Sequence, residues 1–292
     1  MHPTIEQLLA EAPVVVDGGS GTQLQQRGLP VGACPDAWNL TEPEKVADVA
    51  RAYAEAGSRI VLTNTFGANR FVLARHQLAD KVAEVNRRGA ALAKQAAGDR
   101  ALAFGSIGPS GKMLMMGEVG EAELEEAFAE QAAALAEGGA DGLVVETMSD
   151  PAEARLAVIA ARRTGLPVVA CMVFDAGANH DRTMMGTTPE QAAAGLTEAG
   201  ADVIGSNCGQ GIAGFIDICR RLHDATDRPI WIKANAGLPQ LVDGQTVYAQ
   251  TPEQFAEYAP QLVAAGASFI GGCCGTSPEF IAAVKKELRV ES

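Results

Sequence analysis

The segment Ala199-Gly-Ala-Asp-Val-Ile-Gly-Ser-Asn-Cys208 joins a helix stop to a short apolar strand that ends in polar residues and a cysteine. The helix stop recurs as Ala56-Gly57-Ser58, Gly138-Gly139-Ala140 and Ala265-Gly266-Ala267, each time before an apolar run. Glycine just past the last helical turn takes the left-handed conformation that ends a helix. The phrase therefore reads as a helix handing the chain to a parallel strand. Strand-like runs fall at residues 13–18, 59–66, 101–107, 142–148, 167–174, 203–208, 229–234 and 268–273. Helical spacing covers 43–56, 80–97, 121–138, 151–164, 189–199, 215–225 and 252–265, and Pro278 opens a last helix. Several helices begin with proline after Thr, Glu, Asp or Ser, which presets the first turn beside a cap. Eight such units with nearly continuous apolar strands predict an α/β fold, a single (β/α)8 TIM barrel forming one domain over residues 1–292. An open doubly wound sheet is the competing arrangement, since linear order alone does not prove closure.

The chain has 292 residues and a formal net charge of −13, spread without acidic blocks, which argues against nucleic acid as a partner. No apolar run is long enough to span a bilayer, and the N-terminus lacks the pattern of a signal peptide. No membrane partner and a cytoplasmic location are expected.

In such barrels chemistry sits on the loops after the C-terminal ends of strands. Three cysteines lie there: Cys208 at the end of the sixth run, and the pair Cys273-Cys274 in Phe269-Ile-Gly-Gly-Cys-Cys-Gly-Thr276 at the end of the eighth. A lone cysteine at a strand end is more often packing than ligand. The adjacent pair changes the balance. Neighbouring strand residues point to opposite faces, so two thiols aimed at one metal need a break in the pleat, which Gly271, Gly272 and Gly275 permit. A disulfide between adjacent residues would be strained, and nothing marks an oxidising compartment. Three thiolates leave one position of a tetrahedral Zn2+ open, the mark of a catalytic rather than a structural zinc. A thiol entering that position loses its proton at neutral pH and becomes a nucleophile, which points to thiol alkylation.

Asp17 and Glu146 emerge from apolar runs, where an unpaired carboxylate is costly, so each should have a cationic partner or dense hydrogen bonding. A structural ion pair or helix cap is one reading. In the other, the two hold a substrate ammonium while the Gly18-Gly19 amides receive a carboxylate, together describing an amino-acid thiol. The glycine run lacks the Lys-Ser or Lys-Thr of a phosphate loop. Cys171 and Cys219 read as core thiols and Cys34 as a free loop cysteine. His76, His180 and His223 show no ligand spacing. Met113, Met115 and Met116 form an apolar patch after the third run, either filler or a face for an apolar cofactor.

The combination Asp17-Gly-Gly-Ser-Gly-Thr22, Thr63-Asn-Thr-Phe66, Gly105-Ser-Ile-Gly-Pro109, Glu146-Thr147, Asn207-Cys208, Asn235-Ala-Gly237 and Gly271-Gly-Cys-Cys-Gly-Thr276 resembles the homocysteine S-methyltransferase family over essentially the whole chain. It is most similar to the homocysteine-binding module of cobalamin-dependent methionine synthases. The resemblance implies a methyltransferase that makes methionine, with Cys208, Cys273 and Cys274 on zinc and the homocysteine sulfur as fourth ligand. It further implies that Asp17 and Glu146 hold the substrate ammonium, that Gly19 and Ser106 lie near its carboxylate, and that Thr63, Asn64 and Asn235 line the site. The sequence shows no corrinoid-ligating Asp-x-His-x-x-Gly and stops soon after the eighth helix. Methylcobalamin or another methylcorrinoid is therefore expected to arrive on a separate corrinoid protein. Direct transfer from a sulfonium or betaine donor is the alternative. Betaine favours an aromatic cage, to which Trp38 could contribute, but Gly67-Ala-Asn69 follows the second motif and aromatic content is 5%. A non-catalytic zinc-binding subunit is a further alternative, disfavoured because structural metal would not need Asp17 and Glu146.

Overall fold

Alternate residues of each strand face two different cores, and this period of two builds the molecule. The computed structural model describes residues 1–242 and 245–289. In it Val14, Val16, Ile60, Leu62, Phe104, Val144, Val169, Val203, Trp231 and Phe269 point inward and fill the barrel. Val15, Val61, Ala103, Leu143, Val145, Ala170, Ile204 and Ile232 point outward against the helices.

The strands are β1 (Val14–Val15), β2 (Ile60–Leu62), β3 (Leu102–Ile107), β4 (Gly142–Met148), β5 (Val168–Met172), β6 (Val203–Gly211), β7 (Ile230–Asn235), β8 (Pro239–Val242), β9 (Gln245–Tyr248) and β10 (Ala267–Gly272). Eight of them form one parallel sheet in the order β1-β10-β7-β6-β5-β4-β3-β2. A parallel bridge between Val16 and Ile60 joins the two ends of that order, so the sheet is a barrel and not an open doubly wound sheet. The helices lie outside. Those starting at Pro189 and Pro252 carry complete capping boxes, Thr188 with Gln191 and Thr251 with Gln254, as their Thr-Pro starts foretell. No described helix is long and apolar enough to cross a membrane.

Besides short helices at Ser20–Gln26, Trp38–Thr41 and Arg70–Ala74, four features differ from the sequence reading. A helix over Pro3–Leu9 precedes β1, and its Ile5 and Leu8 pack into the inner core beneath the strands. The helix expected over 252–265 is two pieces, Pro252–Ala256 and Ala259–Ala264, because Pro260 cannot donate to the preceding turn and crowds it. The chain after β7 forms an antiparallel hairpin, β8 with β9. Strand β6 continues to Gly211 with an irregularity in its pairing between Asn207 and Gly211, at the cysteine.

Gly205 lies where β6 meets β7, and an added Cβ would stand 2.2 Å from the Trp231 carbonyl oxygen and 2.9 Å from Cys171 Sγ. Neither neighbour can yield without moving a barrel strand. Gly205→Ala should therefore lower stability by about 2 kcal/mol or more, read as a lower urea midpoint at unchanged slope.

Candidate active site

Cys208 stands inside β6 with φ +62°, a left-handed conformation costly for a non-glycine residue, followed by Gly209 at φ +80°. This kink turns its thiol away from the regular pleat. Cys273 and Cys274 follow directly after β10 ends at Gly272, so the strand terminus itself lets both thiols serve one centre. Cys273 N–H donates to the Ala234 carbonyl at 2.6 Å and Cys274 N–H to Asn235 Oδ1 at 3.1 Å, tying the pair to the end of β7. Gly271 and Gly272 act through closeness rather than unusual φ. A Cβ there would meet Asp17 O at 2.6 Å and Thr276 Oγ1 at 2.2 Å.

The three sulfurs lie within 4.8 Å of one another, with Cys208 and Cys274 Sγ 3.9 Å apart. Thiolates about 2.3 Å from a tetrahedral zinc stand roughly 3.8 Å apart, so the donor set and its spacing fit such an ion. Without metal the thiols share protons. Cys208 accepts from Cys273 and Cys274, which pushes its pKa down and theirs up. Such an uneven sharing is what a bound cation would replace, by favouring the thiolate at all three.

A cavity of about 520 Å³ opens above the sulfurs. Of the residues singled out in the sequence, Gly19, Thr63, Asn64, Ser106, Glu146, Cys208, Cys273 and Cys274 line it. Glu146 is 7% exposed; its Oε1 accepts from Ser106 Oγ at 2.5 Å and its Oε2 from Asn207 Nδ2 at 3.3 Å. Burial raises its pKa, against the pull of Lys233 and the Ser106 hydrogen bond. Thr63 Oγ1 accepts from Ser106 N–H at 3.0 Å, and Asn64 Nδ2 donates to Pro35 O at 2.7 Å, so both brace the wall.

Asp17 and Asn235 stand behind that lining. Asn235 holds the Cys274 amide. Asp17 is 1% exposed; its Oδ1 accepts from Lys233 Nζ at 2.5 Å and its Oδ2 from Leu62 N–H at 2.7 Å. Its expected cationic partner is thus Lys233, which the sequence reading passed over although a lysine inside Ile230-Trp-Ile-Lys-Ala-Asn235 is as conspicuous as the aspartate. Burial acts to lower the Lys233 pKa, but Asp17 and Glu146 outweigh it and raise it. The amide of Gly19 donates to Thr276 Oγ1 at 3.0 Å and is engaged within the protein.

Other expectations divide. Cys171 and Cys219 are buried core thiols. Cys34 is free but buried, 3.7 Å from Asp36 Oδ2, with its thiol pushed up to about 11 by burial. Trp38 is buried with the Lys45 ammonium 4.6 Å from its ring centroid, and it does not line the cavity. Met115 and Met116 are each 68% exposed in a short 3-10 turn after β3. Asn207 entered the sequence reading only within the Asn207-Cys208 motif, with no role of its own, and Tyr248 and Asp36 were not foreseen. Tyr248 packs over Gly275, where a Cβ would meet its ring at 2.2 Å.

The fold and this cysteine-floored cavity define a TIM-barrel protein with a thiol-rich centre at the strand ends. A model of the homocysteine S-methyltransferase family matches residues 14–288, and the chain belongs to that family as a homocysteine S-methyltransferase domain. It is 32% identical to the methionine synthase of Mycobacterium leprae (strain TN) and 31% identical to that of Mycobacterium tuberculosis (strain ATCC 25618 / H37Rv), each over 94% of this chain. It spans about a quarter of the length of those two proteins, 24% in each case. Among solved structures it is similar to the Escherichia coli homocysteine methyltransferase MmuM. The metallated form matches with TM-score 0.78 at 24% identity, and the oxidized form with 0.76 at 25%, over 94% of this chain and 95% of that one.

Asp36 provides a test of the cavity wall. Buried at 4% exposure, it accepts from Gly67 N–H at 2.9 Å, and burial pushes its pKa up to about 6. A raised carboxyl pKa means the folded state holds the proton more tightly than the unfolded one. Its contribution is therefore full below about pH 4 and lost as pH rises through about 6. Asp36→Asn keeps an acceptor for Gly67 and cannot ionise. Its stability relative to wild type, from urea midpoints, should rise between about pH 4 and about pH 7.

Proposed function

We propose that this domain methylates the thiol of homocysteine to give methionine, using a zinc ion on Cys208, Cys273 and Cys274. The observation that carries the reading is the convergence of these three thiols on the floor of a cavity whose adjoining wall holds the buried carboxylate Glu146. Zinc would supply the Lewis acidity that keeps an incoming thiol deprotonated near neutral pH. The chain's own residues do the rest. Glu146, oriented by Ser106 and Asn207, faces the acceptor's ammonium. Thr63 and Asn64 form a wall braced to its neighbours, so the acceptor is held in one orientation for attack on the methyl carbon in line.

The methyl donor in this reading is a methylcorrinoid on another protein. Phe66 is the one aromatic ring among the described lining residues apart from His76, so the walls do not offer the cluster of rings that would enclose a quaternary ammonium. Gly67 borders the cavity, while Ala68 is fully buried and takes no part in the mouth. The similarity to methionine synthases favours the same donor class. A sulfonium or betaine donor is the competing outcome.

Two measurements test this. Reduced, purified protein should carry about one zinc per chain, with X-ray absorption showing three protein sulfurs. Alanine in place of Cys208, Cys273 and Cys274 together should abolish both metal and activity; full zinc occupancy in that triple variant would refute the centre. For the donor, methionine should form with free methylcobalamin, faster when a corrinoid protein carries it, and scarcely with betaine. Turnover with betaine or S-methylmethionine and none with any methylcorrinoid would reverse the donor assignment while leaving the acceptor side standing.

A further inference from the structure

Asp17 and Glu146 are two of the buried carboxylates at this end of the barrel, and their surroundings differ; a third, Asp36, borders the same cavity from the loop after β1, where it accepts from Gly67 N–H. Asp17 has a direct ion pair with Lys233 at 2.5 Å and a backbone N–H on its second oxygen at 2.7 Å. It does not border the cavity, whereas Lys233 does. Glu146 borders the cavity and receives only neutral donors, Ser106 Oγ and Asn207 Nδ2. Among the described residues no cation lies within ion-pair distance of it. A buried carboxylate without a counter-ion is costly, and a cationic substrate group relieves that cost. A carboxylate already paired gains little from a second ammonium, which would also meet the charge of the first.

We infer that Lys233 is a specificity-determining residue of the acceptor site: it fills the place at Asp17 that an ammonium could occupy, so that Glu146 rather than Asp17 takes the ammonium of the amino-acid thiol. The inference rests on the acceptor reading above and adds to it how the charges are shared. The Asp17 and Lys233 charges sum to zero, and Glu146, which receives only neutral donors, keeps its negative charge for a positive substrate group. Lys233 belongs to β7 and Asp17 follows β1, so the seat is closed by the barrel itself rather than by a mobile loop.

The test compares binding of homocysteine with binding of 4-sulfanylbutanoate, which keeps thiol and carboxylate but lacks the amino group, by calorimetry on zinc-loaded protein. Wild type should prefer homocysteine by at least about tenfold. Glu146→Gln should erase that preference. Replacing the ion pair as a unit, Asp17→Asn with Lys233→Met, removes two opposite charges together and should keep the preference within about threefold, since paired removal avoids an orphaned charge. A double variant that loses the preference as Glu146→Gln does would overturn the inference, because Asp17 would then hold the ammonium. Wild-type protein with no preference at all would overturn the acceptor reading along with it. A measurement needing no substitution runs beside these: the nitrogen resonance of the Lys233 ammonium should hold its position when homocysteine saturates the protein. Displacement of that resonance to a new hydrogen-bonding environment counts against the closed seat.

Discussion

The ion pair between Asp17 and Lys233 is the constraint on which the functional end of the barrel depends. Strand β1 is only Val14–Val15, and its junction with β2 has a single bridge, Val16 with Ile60. Asp17 extends that junction with a side chain, since its Oδ2 accepts from Leu62 N–H on β2 while its Oδ1 reaches Lys233 on β7. One residue thus links both sides of the barrel's closing seam, through groups that are 1% and 3% exposed. Burying two charges costs several kcal/mol each, offset by their attraction and by the added backbone bond; removing one partner alone would leave an uncompensated charge costing roughly 3–5 kcal/mol. Replacement by an apolar pair could hold the seam as well. Such a pair would remove together the Lys233 charge that lowers the Glu146 pKa and the Asp17 charge that raises it.

The cysteine centre is built on the same seam from the opposite direction. Asp17 O accepts from Gly272 N–H at 2.9 Å, just before Cys273, and Gly19 donates to Thr276, just after Cys274. The first loop and the cysteine turn therefore fit closely against each other. A side chain at Gly19 would collide with the Cys273 carbonyl at 2.5 Å, which is a reason for glycine there independent of any substrate. Tyr53, fully buried on the helix Pro43–Ala56, donates to Thr276 O at 3.1 Å and fixes the far side of that turn. The sulfurs are consequently held by backbone and core rather than by flexible side chains, as preorganised ligands require.

Much of this was legible in the sequence, for identifiable reasons. The Ala-Gly-Ala stops and Thr-Pro starts have local causes, capping and left-handed glycine, so eight strands and the main outer helices could be read with errors at their ends, apart from the 252–265 helix that is divided in two. The cysteines were legible because three soft ligands at two strand ends have few other uses. The Pro3–Leu9 helix was missed because its Ile5 and Leu8 acquire meaning only once the barrel base exists to receive them. The φ of Cys208 left no trace beyond the following glycine, because nothing in a cysteine announces a left-handed backbone. Asp17 was expected to have a cationic partner or dense hydrogen bonding, but Lys233 is 216 residues away in sequence, and only strand order brings β7 within one strand of β1.

Another part of the cavity wall follows a different rule. It is carried by the loops after β1 and β2, joined by polar contacts: Asp36 to Gly67 N–H, Asn64 to Pro35 O, and Asn39 Nδ2 to Asn64 O at 2.8 Å. Gln131 Nε2 adds a bond to Thr65 O at 2.8 Å from the helix after β3. Buried side-chain amides that satisfy loop carbonyls do what ladder bonds do in a strand, so these loops can be irregular without leaving backbone groups unpaired. The consequence for binding is entropic. A cavity wall already fixed by the fold need not be ordered when an acceptor enters, so less of the interaction free energy is lost on closing the site, and more is left to orient the thiol toward the methyl group.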